Sequence, residues 1–133
     1  MAAIDAQRAL ALVGVPFRPQ GRDRAGLDCV GLCLVAYRLP VEWARADYRL
    51  RGDFRSEIET FIVRHFRKIV LRDATPGDLM LMQVGPDQLH LGIRSQHGFV
   101  HADVRLRRVV ETPGQPLWPL LGVYRRLRSG KVR

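Results

Sequence analysis

The chain has 133 residues, 47% of them hydrophobic and 26% charged, which is typical of one globular domain and excludes a disordered or low-complexity chain. Its 2 cysteines lie four positions apart, too few for a disulfide-stapled scaffold, and no apolar run reaches the ~20 residues of a membrane span. The net charge of +9 fits an anionic partner, but the arginines are spread along the chain, so a codon bias of the genome toward arginine explains it equally well.

The first forty residues predict two helices separated by a loop. Apolar residues recur with helical spacing over Ile4–Val13, and the segment 14–27, rich in Gly, Pro and Arg, is predicted to be a loop. Asp28 is a good N-cap for the apolar run Cys29–Tyr37, which Pro40 ends. We therefore expect Cys29 to begin a buried helix.

The second half of the chain changes from helical spacing to short strands. Residues 41–53 are predicted to be irregular, and Phe54–Phe66 has the apolar spacing of a helix. A turn at Thr75–Asp78 follows. Strands are predicted at Leu79–Val84, Leu89–Arg94, Gly98–Asp103, Val104–Val110 and Gly122–Arg126. Helices followed by consecutive strands predict an α+β domain over residues 1–133, with N-terminal helices packed on an antiparallel sheet.

Cys29 is the strongest candidate for chemistry. A cysteine at the first position of a helix lies in the positive field of the helix dipole, which favours the nucleophilic thiolate. Gly31 would leave space over the sulfur for a substrate, and the backbone N–H of Cys29 would point to a developing oxyanion. From this segment alone, a small buried residue of a core helix is the more common role for such a cysteine.

Two histidines supply a base and its partner. His90 lies in a predicted strand on the face opposite Leu89 and Leu91, and His101 lies in the next strand. If the two strands pair about the intervening turn, the histidines fall nearly opposite each other, with Cβ atoms ~5 Å apart. A lone histidine in such a strand is more often a core residue bound to a backbone carbonyl, but one cysteine with two facing histidines follows the logic of a Cys-His-polar triad.

Several segments resemble, in order along the chain, motifs of the NlpC-type cell-wall cysteine peptidases. These segments are Gly14–Arg18, Gly21–Arg22, Asp28–Leu32, Thr75–Leu81, His90–Ile93 and His101–Ala102. The resemblance implies a papain-like fold in which Cys29 is the nucleophile, His90 the base and His101 the third catalytic residue, with no cofactor. It also implies a thiol endopeptidase that cuts peptidoglycan stem peptides between D-glutamate and a diamino acid such as diaminopimelate.

Phe17 and Asp28 are the candidate substrate-binding residues. The family usually has a tyrosine where Phe17 stands, and that hydroxyl helps at its active site. Phe17 keeps the ring and loses the hydroxyl. This departure favours an alternative in which the chain keeps the peptidase fold with little or no activity.

Other reactive residues have simpler explanations. Cys33 is one turn below Cys29 and is interpreted as core packing, and His65 and His97 as surface residues. The cysteines and histidines match no common zinc-ligand spacing, so no metal site is predicted. The large aromatic residues are interpreted as core or interface anchors: Trp43, Phe54, Phe66 and Trp118.

The partners follow from the resemblance and from the N-terminus. The segment from Met1 to Val13 is a poor signal peptide, and the closest resemblance is to compact peptidases encoded with phage and gene-transfer-agent tail genes. We therefore expect a protein made in the bacterial cytoplasm and carried at the tip of a phage-like tail. Trp43–Phe66 and the basic residues 125–133 would contact other tail proteins. The alternative is a structural tail-tip component. Nucleic acid is not an expected partner, because neither a basic helix nor an aromatic stacking platform is evident.

Overall fold

The computed structural model describes residues 2–40, 54–86 and 88–127. Its helices within these ranges are α1 (Ala2–Leu10), α2 (Cys29–Ala36) and α3 (Phe54–His65), and a short 3-10 helix spans Leu71–Asp73. The strands are β1 (Arg22–Asp23), β2 (Gly26–Leu27), β3 (Phe66–Ile69), β4 (Leu79–Gly85), β5 (Gln88–Arg94), β6 (Gly98–Asp103), β7 (Arg108–Pro113) and β8 (Leu120–Arg126). None of these helices is long and apolar enough to cross a membrane.

Six of the strands form one antiparallel sheet with the order β3-β8-β4-β5-β6-β7. Strands β4 to β7 are neighbours in the chain and in the sheet, while β8 returns to pair between β3 and β4. The prediction of an α+β domain with an antiparallel sheet is confirmed. The two strands that carry His90 and His101 are adjacent within this sheet.

Helix α2 has a defined signal at each end. The side chain of Asp28 accepts a hydrogen bond from the backbone N–H of Gly31, as the N-cap prediction required. At the other end Arg38 takes a positive φ of 57°, and the N–H of Leu39 donates to the carbonyl of Leu34, which closes the helix as a Schellman motif. Every residue of α2 except Val35 is buried, so the helix is a core element.

The turn before β4 is clamped by an ion pair. Gly77 has a φ of 99°, which its lack of a Cβ permits, and the buried Asp78 accepts hydrogen bonds from the guanidinium of Arg125 at 3.0 and 2.9 Å. Arg126 likewise contacts the buried Asp5 at 2.9 Å. Arg125 and Arg126, at the start of the basic segment 125–133, therefore neutralise buried carboxylates within the domain. The rest of the tail beyond residue 127 lies outside the described residues.

The sequence placed some strands wrongly. The segment Val104–Val110 was predicted as a strand, but residues 104–107 form a turn and β7 begins at Arg108. The carboxylate of Asp103 causes this turn, because it accepts hydrogen bonds from the N–H groups of Arg105 and Leu106. Strand β3 was not predicted, nor were the short strands β1 and β2 within the predicted loop 14–27, and α3 ends one residue earlier than expected.

The main core lies between the helices and one face of the sheet. Leu32 and Cys33 of α2 and Ile58 of α3 are fully buried against strand residues such as Leu91 and Ile93. The opposite face of the sheet carries a smaller cluster. Its members are Met80, Met82 and Phe99, with Trp118 and Leu120 packed against them.

The segment Val15–Phe17 runs along the outer edge of β7. The N–H of Gly14 donates to the carbonyl of Val109, the N–H of Val109 donates to the carbonyl of Val15, and the N–H of Phe17 donates to the carbonyl of Arg107. Phe17 also bridges to Leu27, two residues before Cys29. The segment therefore joins the edge of the sheet to the start of α2.

Candidate active site

The start of α2 is held by a buried carboxylate. Asp28 is 2% exposed; its Oδ1 accepts hydrogen bonds from the N–H of Gly31 and from Arg22 Nη1, both at 2.8 Å, and its Oδ2 accepts one from the N–H of Gln20 at 2.9 Å. Both oxygens are thus used to fix the loop 20–22 and the first turn of the helix. Asp28 positions Cys29 through the backbone, and a direct contact of Asp28 with substrate stays a prediction.

Gly31 serves a different purpose from the one expected. A Cβ at this position would collide with the backbone carbonyl of Gly21. The space beside Gly31 is therefore filled by the loop, and is not left open for a substrate. Arg22 Nη1 bonds both the Gly21 carbonyl and Asp28, so the close approach belongs to the same network.

Cys29 is buried beside β5. Its side chain is part of the core cluster, the residue is only 7% exposed, and backbone hydrogen bonds from Leu91 and Val30 reach the sulfur. Burial, and then the negative charge of Asp28, raise the pKa of the Cys29 thiol to about 12. Burial therefore opposes the thiolate that the helix N-terminus was expected to favour. The thiol is neutral and needs a base.

Strands β5 and β6 separate from each other beside Cys29. Pairing between β5 and β6 ends at Gly92 and His101, whereas β5 continues to pair with β4 as far as Gln88. Strand β6 continues beyond that point with β7. The hydrogen bond from Leu91 places the sulfur of Cys29 at this divergence, next to the strand segment that carries His90.

The two histidines form a hydrogen-bonded chain with a third residue. His90 Nε2 and His101 Nδ1 are 2.9 Å apart, and His101 Nε2 is 2.9 Å from Thr112 Oγ1. His101 is directly opposite Gly92, so the histidines are diagonal neighbours and not opposite each other as expected. Their rings still meet, with centroids 5.1 Å apart. No sequence motif indicated Thr112, because its position depends on the pairing of β7 with β6.

Aromatic rings enclose the histidine pair. Phe99 stacks on His101 with centroids 4.7 Å apart, and the ring of Trp118 lies edge-on to both His90 and His101 at 5.7 Å. Burial, and then the neighbouring His101, lower the pKa of His90 to about 3, while burial lowers the pKa of His101. Both imidazoles are therefore neutral near pH 7, and each has one ring nitrogen that donates and one that accepts.

A cavity of about 270 Å³ lies against this pair. The side chains of His90 and His101 form part of its wall, with Trp118 beside them. Asp103 and Arg105 bring a carboxylate and a guanidinium to the same wall. Among the described residues these two side chains form no ion pair with each other, and Asp103 Oδ1 accepts the hydrogen bonds of the turn from Arg105 and Leu106.

The remaining candidates have mixed outcomes. Phe17 is half-buried and packs against the main core, and its substrate contact stays a prediction. Cys33 is fully buried in the core, as expected, and His97 is exposed. His65 is only 5% exposed, so its interpretation as a surface residue is wrong: it packs against Phe61. Trp43 and the rest of residues 41–53 lie outside the described residues.

Residues 14–119 match the NlpC/P60 family. The chain belongs to the NlpC/P60 family. This match begins at Gly14 and extends past the last of the candidate site residues, so it covers Cys29, His90 and His101. No relative was found among curated proteins.

Solved structures of the same family have the same fold. NlpC1 from Trichomonas vaginalis is 17% identical to this chain, with a TM-score of 0.69. NlpC2 from the same organism is 16% identical, with a TM-score of 0.68. Each comparison covers 93% of this chain, but only 44% of NlpC1 and 47% of NlpC2. The NlpC/p60 domain of the peptidoglycan hydrolase SagA is 22% identical, with a TM-score of 0.59. That comparison covers 85% of this chain and 89% of the SagA domain. These likenesses confirm the papain-like α+β fold. The chain spans less than half the length of the two Trichomonas proteins.

Proposed function

We propose that this chain is a thiol endopeptidase that hydrolyses peptidoglycan stem peptides, with Cys29 as the nucleophile. The observation that carries the proposal is the buried thiol of Cys29 against β5, where the adjacent residue His90 is hydrogen-bonded to His101 at 2.9 Å. A neutral thiol needs a base within reach, and an imidazole that is neutral at pH 7 can accept its proton.

The proposed mechanism depends on which ring nitrogen of His90 is already hydrogen-bonded. Because His90 Nε2 bonds His101, His90 Nδ1 is the atom left to take the proton from Cys29 as the sulfur attacks the carbonyl carbon. The backbone N–H of Cys29 stands at the first position of α2, where it has no partner within the helix, and it stabilises the oxyanion. His90 then returns the proton to the departing amine, and water cleaves the acyl-enzyme by the same route in reverse. No step needs a metal.

The proposed scissile bond joins D-glutamate to a diamino acid. The acyl part of the substrate is attached to Cys29, while the departing amine receives its proton from His90, so the leaving residue lies on the histidine side. The cavity beside His90 and His101 is on that side, and it offers the carboxylate of Asp103 and the guanidinium of Arg105. Opposite charges of this kind complement the ammonium and carboxylate at the end of a diaminopimelate side chain.

We further propose that a phage-like tail carries the protein to the cell wall. The support is the sequence resemblance to compact tail peptidases, which also have a helical stretch between the cysteine helix and the Pro-Gly-Asp turn, where α3 lies here. Purified particles analysed by mass spectrometry test this point. Particles that lack the protein would contradict carriage by the tail and leave the peptidase proposal standing.

A digest of purified sacculi tests the enzymatic proposal. We expect wild-type protein to release peptides whose new N-terminus is the diamino acid, as identified by mass spectrometry, and we expect Cys29→Ala to release none. The alternative is a structural tail component, favoured by the missing hydroxyl at Phe17. An inactive wild type that gains activity as Phe17→Tyr would support that alternative; an active wild type would exclude it.

A further inference from the structure

We infer that Thr112 is a positioning residue that fixes the proton of the His101 ring and, through it, leaves His90 Nδ1 free to act as a base. Thr112 lies on β7, one strand beyond His101 and two beyond His90. Its hydroxyl is the partner of His101 Nε2 at 2.9 Å. The inference rests on the proposed function, but its test does not require hydrolysis.

The chain of three side chains allows only two arrangements of protons when both histidines are neutral. In the first, His90 Nε2–H donates to His101 Nδ1, and His101 Nε2–H donates to the Thr112 hydroxyl. In the second, every donor is reversed: the threonine hydroxyl donates, and His90 carries its proton on Nδ1. Only the first arrangement leaves a lone pair on His90 Nδ1 for the thiol proton of Cys29.

The protonated form of His90 that arises during the reaction is compatible with only one of these two arrangements. When His90 has taken the thiol proton, both of its ring nitrogens carry hydrogen, so His90 Nε2 must donate to His101 Nδ1. His101 must then carry its own proton on Nε2. His101 is 1% exposed, so this N–H cannot turn to bulk water, and Thr112 Oγ1 is its partner among the described residues. The hydroxyl therefore accepts when the charge forms.

Burial makes the hydrogen bond between His101 Nε2 and Thr112 Oγ1 important for the tautomer of His101. Phe99 stacks on one face of His101 and Trp118 lies edge-on to it, so the ring is held in place by packing while its protons are set by polar neighbours. Without the hydroxyl, His101 would keep its proton on Nδ1, where His90 Nε2 can accept it. His90 would then hold its own proton on Nδ1 and lose its function as a base.

Nitrogen-15 NMR of the full-length chain tests the inference, because the ring-nitrogen shifts distinguish the two tautomers of each histidine. We expect His90 and His101 to be Nε2–H tautomers in wild type and in Thr112→Ser, which keeps the hydroxyl. In Thr112→Val, which keeps the shape and the β-branching of threonine, we expect both histidines to become Nδ1–H tautomers. Thr112→Ala repeats the test if the valine variant does not fold. Thr60→Val, at an exposed position on α3, is the matched control and leaves the tautomers unchanged.

Activity supplies a second readout. We expect Thr112→Val to lower kcat/KM about 10- to 100-fold, the usual scale for leaving a buried donor without an acceptor, and Thr112→Ser to restore most of it. Tautomers that stay the same in the valine variant would overturn the inference, even if the variant were less active. If wild type hydrolyses no peptidoglycan but the tautomers change as expected, the positioning role stands and the proposed function fails.

Discussion

The two faces of the sheet differ in what their side chains do. On the face covered by helices, Leu91 and Ile93 of β5 are fully buried in the main core. On the other face the same strand carries His90, whose ring meets His101, Trp118 and a cavity. Because successive residues of a strand point to opposite faces, stability and chemistry are divided between alternate positions of β5. Substitutions one residue apart should therefore have different consequences.

The largest expected effect separates the two cysteines of α2. Cys29→Ala removes the nucleophile, so we expect hydrolysis to fall by roughly 10⁴-fold or more with little change in the melting temperature. Cys33→Ala opens a small hole in the core, so we expect a loss of about 1 kcal/mol in the free energy of unfolding and most of the activity to remain. Iodoacetamide labelling followed by peptide mapping should modify Cys29 first. Equal labelling of both thiols, or a silent Cys29→Ala, would contradict the assignment.

The next test compares the two faces directly. Ile93→Ala cuts into the buried helix-facing core, and we expect it to lower the free energy of unfolding by about 2–5 kcal/mol while the folded fraction keeps its activity. Trp118→Ala removes a half-exposed ring from beside the histidines, and we expect a smaller loss of stability but a clear loss of kcat/KM. Urea unfolding and a peptide assay measure both. The reverse pattern would show that stability and chemistry are not divided in this way.

The pH dependence of stability tests the lowered pKa of His90, which is half-buried. Its folded-state pKa is lowered from 6.5 to about 3, so below pH 6.5 the unfolded chain binds a proton that the folded chain does not. The contribution of His90 to stability is therefore fully present above pH 6.5 and is lost as the pH falls toward 3. We expect His90 to account for roughly 2 kcal/mol of the loss between pH 7 and pH 5, measured by urea unfolding.

Two variants isolate that contribution from those of other groups. His90→Gln should flatten the pH dependence, whereas His97→Gln, at an exposed turn, should leave it as in wild type. An equal slope in wild type and His90→Gln would mean that His90 titrates normally in the folded protein.

The smallest expected effect concerns the cavity on the histidine side. Arg105 lines the cavity and Arg107, on the same exposed turn, does not. We expect Arg105→Gln to lower kcat/KM about 3- to 10-fold for a peptide with diaminopimelate and to leave a matched lysine peptide unchanged, because only the former has a carboxylate to bind. Arg107→Gln should affect neither substrate. Similar losses for both variants would reduce the effect to general surface charge.

The sequence predicted the parts of the site that are determined locally. Asp28 and the apolar run after it were enough to place the start of α2 at Cys29, and strand β6 has the predicted bounds. The segment after β6 was misjudged because its alternating apolar and basic residues mimic a strand, while the backbone contacts of Asp103 make it a turn. A short polar side chain that bends the local backbone outweighed the alternation.

What depends on register could not be predicted. The sequence predicted that His90 and His101 lie close together. Their diagonal offset could not be predicted, because it is fixed by the pairing of Gly92 with His101. Thr112 reaches the site only because β7 pairs with β6, and nothing near it in the sequence indicates a role. The raised pKa of Cys29 is also a tertiary effect, since it follows from burial that the helix N-terminus alone does not reveal.

The segment Val15–Phe17 has a consequence for how copies of this chain behave in solution. An outermost strand offers a row of backbone donors and acceptors, and another chain can add to it as a further strand, the first step toward aggregation. Here the carbonyls of Val109 and Arg107 and the N–H of Val109 are already used by Gly14, Val15 and Phe17. The stretch that leads to the nucleophile helix thus covers the 107–109 end of this outermost strand, so a strand of a neighbouring molecule cannot pair with that end.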